Sequence, residues 1–198
     1  MASDPLRLIA GLGNPGPEYA STRHNLGFRF LDALAAESGE AFRANNRAHG
    51  ELARIAFEGQ PLLLLKPDTF VNRSGLAVRA TLDYFKHSID ELLVVHDDLD
   101  LPPGIVRAKR GGGHGGHNGL RDLVRHIGPD FARLRFGIGH PGERASVIDY
   151  VLSPPTASEE STIADALAAA RAELGHIVSG DFEAAMRVLH KRNGEEKE

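Results

Sequence analysis

The chain has 198 residues, 41% of them hydrophobic, a formal net charge of −4 and no cysteine. That length supports one sizeable core and a single domain, and the missing thiols exclude disulfide scaffolds, cysteine nucleophiles and Cys-ligated zinc while suiting a reducing compartment. The first residues, Met1 to Pro5, lack a signal peptide's basic stretch, and no apolar run approaches the roughly 20 residues of a membrane span; a soluble, cytoplasmic protein without a membrane partner is expected.

In chain order, Leu6 to Ala10 reads as a buried first strand ending at Gly11. Gly11-Leu12-Gly13-Asn14-Pro15-Gly16 then matches G-x-G-x-x-G, with Asp32 about 20 residues on, as in a dinucleotide fingerprint. The mechanism does not fit. A dinucleotide turn needs its helix to begin inside the motif, whereas Pro15 and Pro17 push their neighbours out of the α region and the helical pattern starts only near Asn25. The motif reads instead as a rigid loop holding Asn14 at a strand end. A helix follows through Phe28, Leu31, Leu34 and Ala35 to Gly39. His24 falls at its start, where the positive end of the helix dipole biases the imidazole pKa downward and favours the neutral base.

Paired strands are expected over His49 to Phe57 and Pro61 to Leu65, turning at Glu58-Gly59-Gln60. Lys66 to Asn72 forms a polar loop, and Ser74 is a fair N-cap for the helix carrying Ala77, Val78, Leu82 and Phe85. Asn72, like Asn14, therefore lies where a strand gives way to a helix. Glu91 to Val95 is a continuous apolar strand of the kind buried between two helical layers, and it runs out into the carboxylate-rich loop His96 to Gly104. Ile105 to Arg110 is a further short strand, and Phe131 to Gly139 alternates as another, with Arg133 and Arg135 on one face opposite Leu134 and Phe136. Thr156-x-x-Glu159 is a capping box opening a long Ala-rich helix, and Asp181 to Lys191 adds the last. Residues 1–192 are read as one domain and 193–198 as a frayed charged tail. Strands followed by helices, with polar loops after the strands, imply a single-domain three-layer α/β/α sandwich.

Six of the nine residues from Gly111 to Gly119 are glycine. Glycine loses more backbone entropy on folding than any other residue, so such a run belongs where positive φ or close approach of a ligand is needed. His114, His117 and Asn118 put chemistry on the loop, and the following helix (Leu120, Leu123, Val124, Ile127) aims its free N–H groups at the loop's end, suited to an anion. From Arg107 to Arg144 there are eight basic residues against three acidic ones. A polyanion beside the glycine loop is thus compatible with a negative net charge, since the local patch sets the potential it meets.

The candidate site set is Asn14, His24, Asn72, Asp97, His117 and Asn118. With no G-x-S-x-G elbow and no cysteine, water is the expected nucleophile. A histidine oriented by a buried carboxylate takes its proton, and asparagine amides hold the water, a substrate amide and the developing oxyanion, which together describe ester or amide hydrolysis. The rival is a metal site drawn from His96, Asp97, Asp98, Asp100, His114 and His117. It lacks the helical i, i+4 histidine pair of zincins and leaves the asparagines idle.

The motifs Gly11-Leu12-Gly13-Asn14-Pro15-Gly16, Tyr19-x-x-Thr22-Arg23-His24-Asn25-x-Gly27, Thr69-Phe70-x-Asn72-x-Ser74-Gly75, His96-Asp97-Asp98-Leu99-Asp100-Leu101-Pro102, Gly111 to Asp122 and Arg135-x-Gly137-Ile138-Gly139-His140-Pro141 stand in the order found in bacterial peptidyl-tRNA hydrolases, which the chain resembles from about Leu6 to Leu189. The resemblance implies an esterase that frees tRNA from peptidyl-tRNA, with His24 as general base, Asp97 stabilising its proton-accepting form, and Asn14 telling a blocked amide from a free amine. Asn72 and Asn118 would hold substrate and water, with His117 among the substrate-binding residues. Tyr19 and Phe70 would contact the tRNA 3′ end, and Lys109 and Arg135 would clamp a phosphate. Val71 departs from a frequent methionine, shortening the wall beside Asn72. The resemblance also implies that the sandwich is built around a twisted mixed β-sheet, and that the protein is a monomer with tRNA as its partner, no cofactor and no metal. A non-catalytic RNA-binding relative of the same fold is the alternative from another class.

Overall fold

The computed structural model describes residues 5–142 and 147–192; the tail from 193, and Glu143 and Arg144 of the basic segment, lie outside them. Seven strands form one sheet in the order β2-β3-β4-β1-β5-β7-β6, where β1 is Leu8–Gly11, β2 Arg43–Asn45, β3 Gly50–Phe57, β4 Gln60–Pro67, β5 Leu92–Asp98, β6 Val106–Arg110 and β7 Ala132–Gly137. The four central strands run parallel, β1 pairing with β4 and β5, and β5 with β7. The β2-β3-β4 meander and β6 flank them antiparallel. The sheet is therefore mixed, as expected. The β3–β4 hairpin turns through Glu58 and Gly59, both at positive φ, the two-residue geometry whose twist matches its strands.

Helices cover both faces. The central strands are apolar on both sides because each side is buried. On one face, Ile9, Leu64, Leu93, Val95, Leu134 and Phe136 pack with α1 (Leu26–Glu37), α5 (Ala157–Ala172), α6 (Leu174–Val178) and α7 (Phe182–Arg192). On the other, Leu8, Ala10, Leu65 and Val94 pack with α2 (Ser74–Phe85) and α3 (Asn118–Ile127). A short α4 (Val147–Val151) precedes α5, whose capping box forms as read: Thr156 Oγ1 accepts from the Glu159 N–H and Glu159 Oε2 from the Thr156 N–H.

Three local expectations are corrected. Ser74 does not cap α2. It is the first helical residue and donates its hydroxyl to Val71 O, while Asp122, reaching over from α3, accepts from the Gly75 N–H. His96, Asp97 and Asp98 are not loop residues but the last three of β5, because pairing with β7 continues to Asp98, beyond Val95, where pairing with β1 ends. The long Ala-rich helix divides near Glu173 into α5 and α6.

One packing detail sets the site's frame. A Cβ on Gly27, in the first turn of α1, would lie 2.4 Å from both Leu12 N and Val95 O, and one on Gly11 would lie 2.6 Å from Gly27 O. The start of α1 is thus pressed, main chain against main chain, onto the ends of β1 and β5.

Candidate active site

His24 sits in a 3-10 turn, Arg23–Asn25, immediately before α1, and Asp97 is the penultimate residue of β5. The close seating of α1 brings them together. His24 Nδ1 lies 2.9 and 3.0 Å from the two Asp97 carboxylate oxygens, and His117 Nε2 lies 3.0 Å from one of them. The two imidazoles lean on each other with centroids 4.8 Å apart.

The hydrogen bonds fix both tautomers. His117 is the N-cap of α3, and its Nδ1 accepts from the Gly119 and Leu120 N–H groups. The proton is therefore on Nε2, which donates to Asp97. Asp97 is ionised: burial acts to raise its pKa, but the electrostatic pull of the adjacent His24 and His117 rings and their hydrogen bonds carry it far below the carboxylate range. It accordingly accepts from His24 Nδ1–H, and His24 Nε2 is left as the free lone pair at the cavity.

The resulting His24 pKa corrects the expectation from the helix dipole. Burial does lower it, but the Asp97 charge and hydrogen bond together outweigh burial, and the pKa ends above the ordinary 6.5. The expected anion seat at the start of α3 is also displaced, because the His117 ring occupies two of the N–H groups that an anion would use.

Asn14 is held from three directions. Its N–H donates to Asn25 Oδ1, its C=O accepts from Asn25 Nδ2, and its own Oδ1 accepts from the Val71 N–H at 2.8 Å. The last bond settles the amide orientation: an N–H can only face the oxygen, so Nδ2 is the group Asn14 presents. Val71 opens the 3-10 turn Val71–Arg73 that carries the exposed Asn72. A Cβ on Gly119 would meet Val71 Cγ2, His117 Cε1 and Leu12 Cδ1 at 2.9, 3.0 and 3.1 Å, so this turn, the start of α3 and the loop after β1 share one close contact. At the rim, Tyr19 and Phe70 meet edge to face with centroids 6.3 Å apart, and Phe70 is 57% exposed.

A cavity of about 310 Å³ runs from His24 and Asp97 along the glycine loop and includes Asn118, Lys109, Arg133, Arg135 and α4. Its far wall is cationic. On the paired strands β6 and β7, Lys109 stands directly opposite Arg133 and Arg107 opposite Arg135. Arg135 Nε donates to Asp98 at 2.7 Å. The Lys109 pKa is lowered by partial burial, then by Arg135 and Arg133.

Sequence reasoning missed three supporting residues. Asn25 braces Asn14. Arg23, buried beside His24, donates to the Tyr150 and Ser153 carbonyls and to Glu159, lashing α4 and α5 to the His24 turn; a charged residue beside a candidate base was the signal. His96 is buried with Nδ1 donating to the Asp97 carbonyl and no partner at Nε2, and burial, with His117 close by, depresses its pKa to about 3, so it stays neutral.

Of the acidic and histidine residues weighed as metal ligands, only Asp97 and His117 converge, joined by His24, with one ligand atom of each within 4.8 Å of the others. Asp98 is engaged by Arg135 and by the Asp100 N–H. Both histidine nitrogens facing Asp97 are accounted for as hydrogen-bond donors.

The sequence profile of the peptidyl-tRNA hydrolase family matches residues 8–197. The chain belongs to that family. The peptidyl-tRNA hydrolase of Nitrosomonas europaea is 49% identical over 189 residues, covering 95% of this chain and 97% of its own length. That of Teredinibacter turnerae is 50% identical, covering 94% and 98%. The crystal structure of peptidyl-tRNA hydrolase from Acinetobacter baumannii superposes with a TM-score of 0.92 at 43% identity, covering 96% of each chain. Membership in the peptidyl-tRNA hydrolase family makes this chain a hydrolase of peptidyl-tRNA, and among the described residues no helix is long and apolar enough to cross a membrane.

Proposed function

We propose that this chain cleaves the ester between the peptidyl group and the 3′-terminal ribose of tRNA by general-base activation of water, with His24 as the base. The observation that carries this reading is the fixed tautomer of His24. Its Nδ1–H is held by an ionised Asp97 that His117 holds in turn, so Nε2 is a lone pair facing the cavity, and the positive charge it acquires on taking a proton falls next to a buried carboxylate. That charge exists only as the reaction proceeds, so Asp97 stabilises the transition state more than the ground state.

Asn14 supplies the selectivity. Because its Oδ1 is occupied by the Val71 N–H, it meets the substrate with Nδ2, a donor. A blocked amino acid carries a carbonyl on its nitrogen, and a free one carries only an ammonium. A donor fixed at that point welcomes the first and repels the second. Asn118, exposed at the start of α3 and lining the cavity, and Asn72, on the turn tied to Asn14, hold the water and the substrate carbonyl. Tyr19 and Phe70 receive the tRNA end, and Lys109 with Arg135 receives a phosphate, so binding is salt-dependent. We take the acting unit to be a cytoplasmic monomer, one domain over 1–192, with tRNA as partner and no metal or cofactor.

The test is single-turnover hydrolysis of an N-acetyl-aminoacyl-tRNA beside the unblocked aminoacyl-tRNA, both in excess chelator. Rapid cleavage of the blocked ester alone is expected. Binding of both tRNAs with cleavage of neither would convert the reading to that of an RNA-binding relative. Activity that disappears only with chelator would return His24, Asp97 and His117 to a metal.

A further inference from the structure

Arg133 is the largest fully buried side chain among the described residues, 1% exposed. Burying a guanidinium costs several kcal/mol in general and is normally balanced by a carboxylate. Among the described residues no carboxylate is bonded to this one: the nearby Asp98 is taken by Arg135. Its partners are carbonyl oxygens, Nη1 donating to Gly113 O and Nη2 to Gly112 O, each at 2.6 Å, with Nη2 also 3.2 Å from Pro129 O. The cation lies over the Phe131 ring, 4.5 Å from its centroid.

Its setting is unfavourable for a purely structural residue. Arg133 stands directly across from Lys109 on β6, and like charges opposed across a strand pair destabilise a sheet. A neutral residue of similar length would pack there without that repulsion, yet could not grip two successive carbonyls of a glycine loop. Gly111, Gly112, Gly115 and Gly116 all adopt positive φ, so the loop's main chain has little intrinsic preference for the one course it takes. Lys109 Nζ, in turn, comes to 3.1 Å from where a Cβ on Gly112 would be, so the loop's course also decides where the Lys109 ammonium stands.

We propose that Arg133 is a positioning residue: by clamping the Gly112 and Gly113 carbonyls it fixes the glycine loop as the cavity wall and holds Lys109 in place to meet a phosphate of the substrate. Arg133 borders the cavity but is only 1% exposed, and both its terminal nitrogens are spent on loop carbonyls, so it acts through the loop. The hydrolytic array does not depend on it, because His117 is secured separately by the Gly119 and Leu120 N–H groups and by Asp97. The consequence for substrate rests on the function proposed above; the consequence for the loop does not.

The experiment compares the full chain with Arg133→Met, which keeps length without donors, and Arg133→Lys, which keeps charge and reaches a single carbonyl. Backbone ¹⁵N order parameters are measured without substrate, and steady-state hydrolysis of N-acetyl-aminoacyl-tRNA is measured at fixed salt. In the unsubstituted chain Gly112 and Gly113 are expected near the rigid value of about 0.85; in Arg133→Met they fall below about 0.6, with β1 and β5 unchanged and Arg133→Lys between. KM rises about tenfold in Arg133→Met while kcat changes less than about threefold. A folded Arg133→Met with a loop as rigid as before overturns the proposal. So does loosening spread equally over loop and core, or a loss in kcat at unchanged KM. Should Arg133→Met fail to fold, Arg133→Lys decides by the same readings. If the unsubstituted chain hydrolyses no ester, the proposed function fails, while the order parameters still decide whether Arg133 holds the loop.

Discussion

Two buried charges stand on neighbouring strands and are stabilised in opposite ways. Asp97 on β5 is an anion with two imidazole donors, so its compensation is itself ionisable. Arg133 on β7 is a cation compensated by main-chain carbonyls and an aromatic face, neither of which titrates. The first arrangement suits chemistry, since a proton can arrive and leave beside it. The second suits architecture, since it holds a loop at any pH near neutrality. On the function proposed above, one end of the cavity would govern rate and the other binding.

The largest effect expected from separating them is at His24. His24→Ala should lower kcat by about 10² to 10⁴ while tRNA affinity, measured by filter binding, stays close to that of the unsubstituted chain, because the ring acts in the transition state. An equal loss of affinity and rate would erase the division between the two ends.

Asp97→Asn should cost nearly as much, and its pH profile is diagnostic. The base must be unprotonated, so kcat falls as pH drops through the His24 pKa, which lies above 6.5 in this setting. Removing the carboxylate removes the charge and hydrogen bond that raise that pKa and leaves burial, which lowers it. The acidic limb should therefore move to lower pH in Asp97→Asn, even as the rate falls. A limb that stays put would mean that the titration belongs to another group.

Asn14→Asp should lower kcat/KM for the N-blocked ester by about a hundredfold, because its carboxylate can still accept from Val71 but has no N–H to offer a carbonyl. Comparison of blocked and free aminoacyl-tRNA in single turnover reads this directly: the ratio between them should collapse. The smallest effect is at the cationic wall, where Lys109→Ala should weaken tRNA binding modestly and reduce the slope of log affinity against log salt by about 1, with little change in the rate of bound substrate.

Much of this was legible in the sequence, and the exceptions share a cause. Strand and helix periodicity predicted the α/β/α sandwich, and the motifs picked out His24, Asp97 and His117, which line one cavity, and Asn14, which lines a separate pocket with Asn25. What could not be read was which atom of each residue is already engaged. The His117 partnership with Asp97 depends on the two N–H groups that seize its other nitrogen. The direction of the His24 shift depends on a contact 73 residues away. Strand alternation placed Arg133 and Arg135 on one face, as found, but alternation alone does not distinguish a solvated arginine from one roofed by a loop. Ser74 failed as a cap because Asp122, from a different helix, is better placed.

The contact of Gly27 with Leu12 and Val95 bears on how such an enzyme tolerates divergence. The spacing between α1, which the His24 turn leads into, and the strand bearing Asp97 is set by backbone touching backbone, without an intervening side chain whose size could drift. Substitutions deeper in the core can accumulate over generations, and His24 and Asp97 inherit the same separation, provided that one residue stays without a side chain.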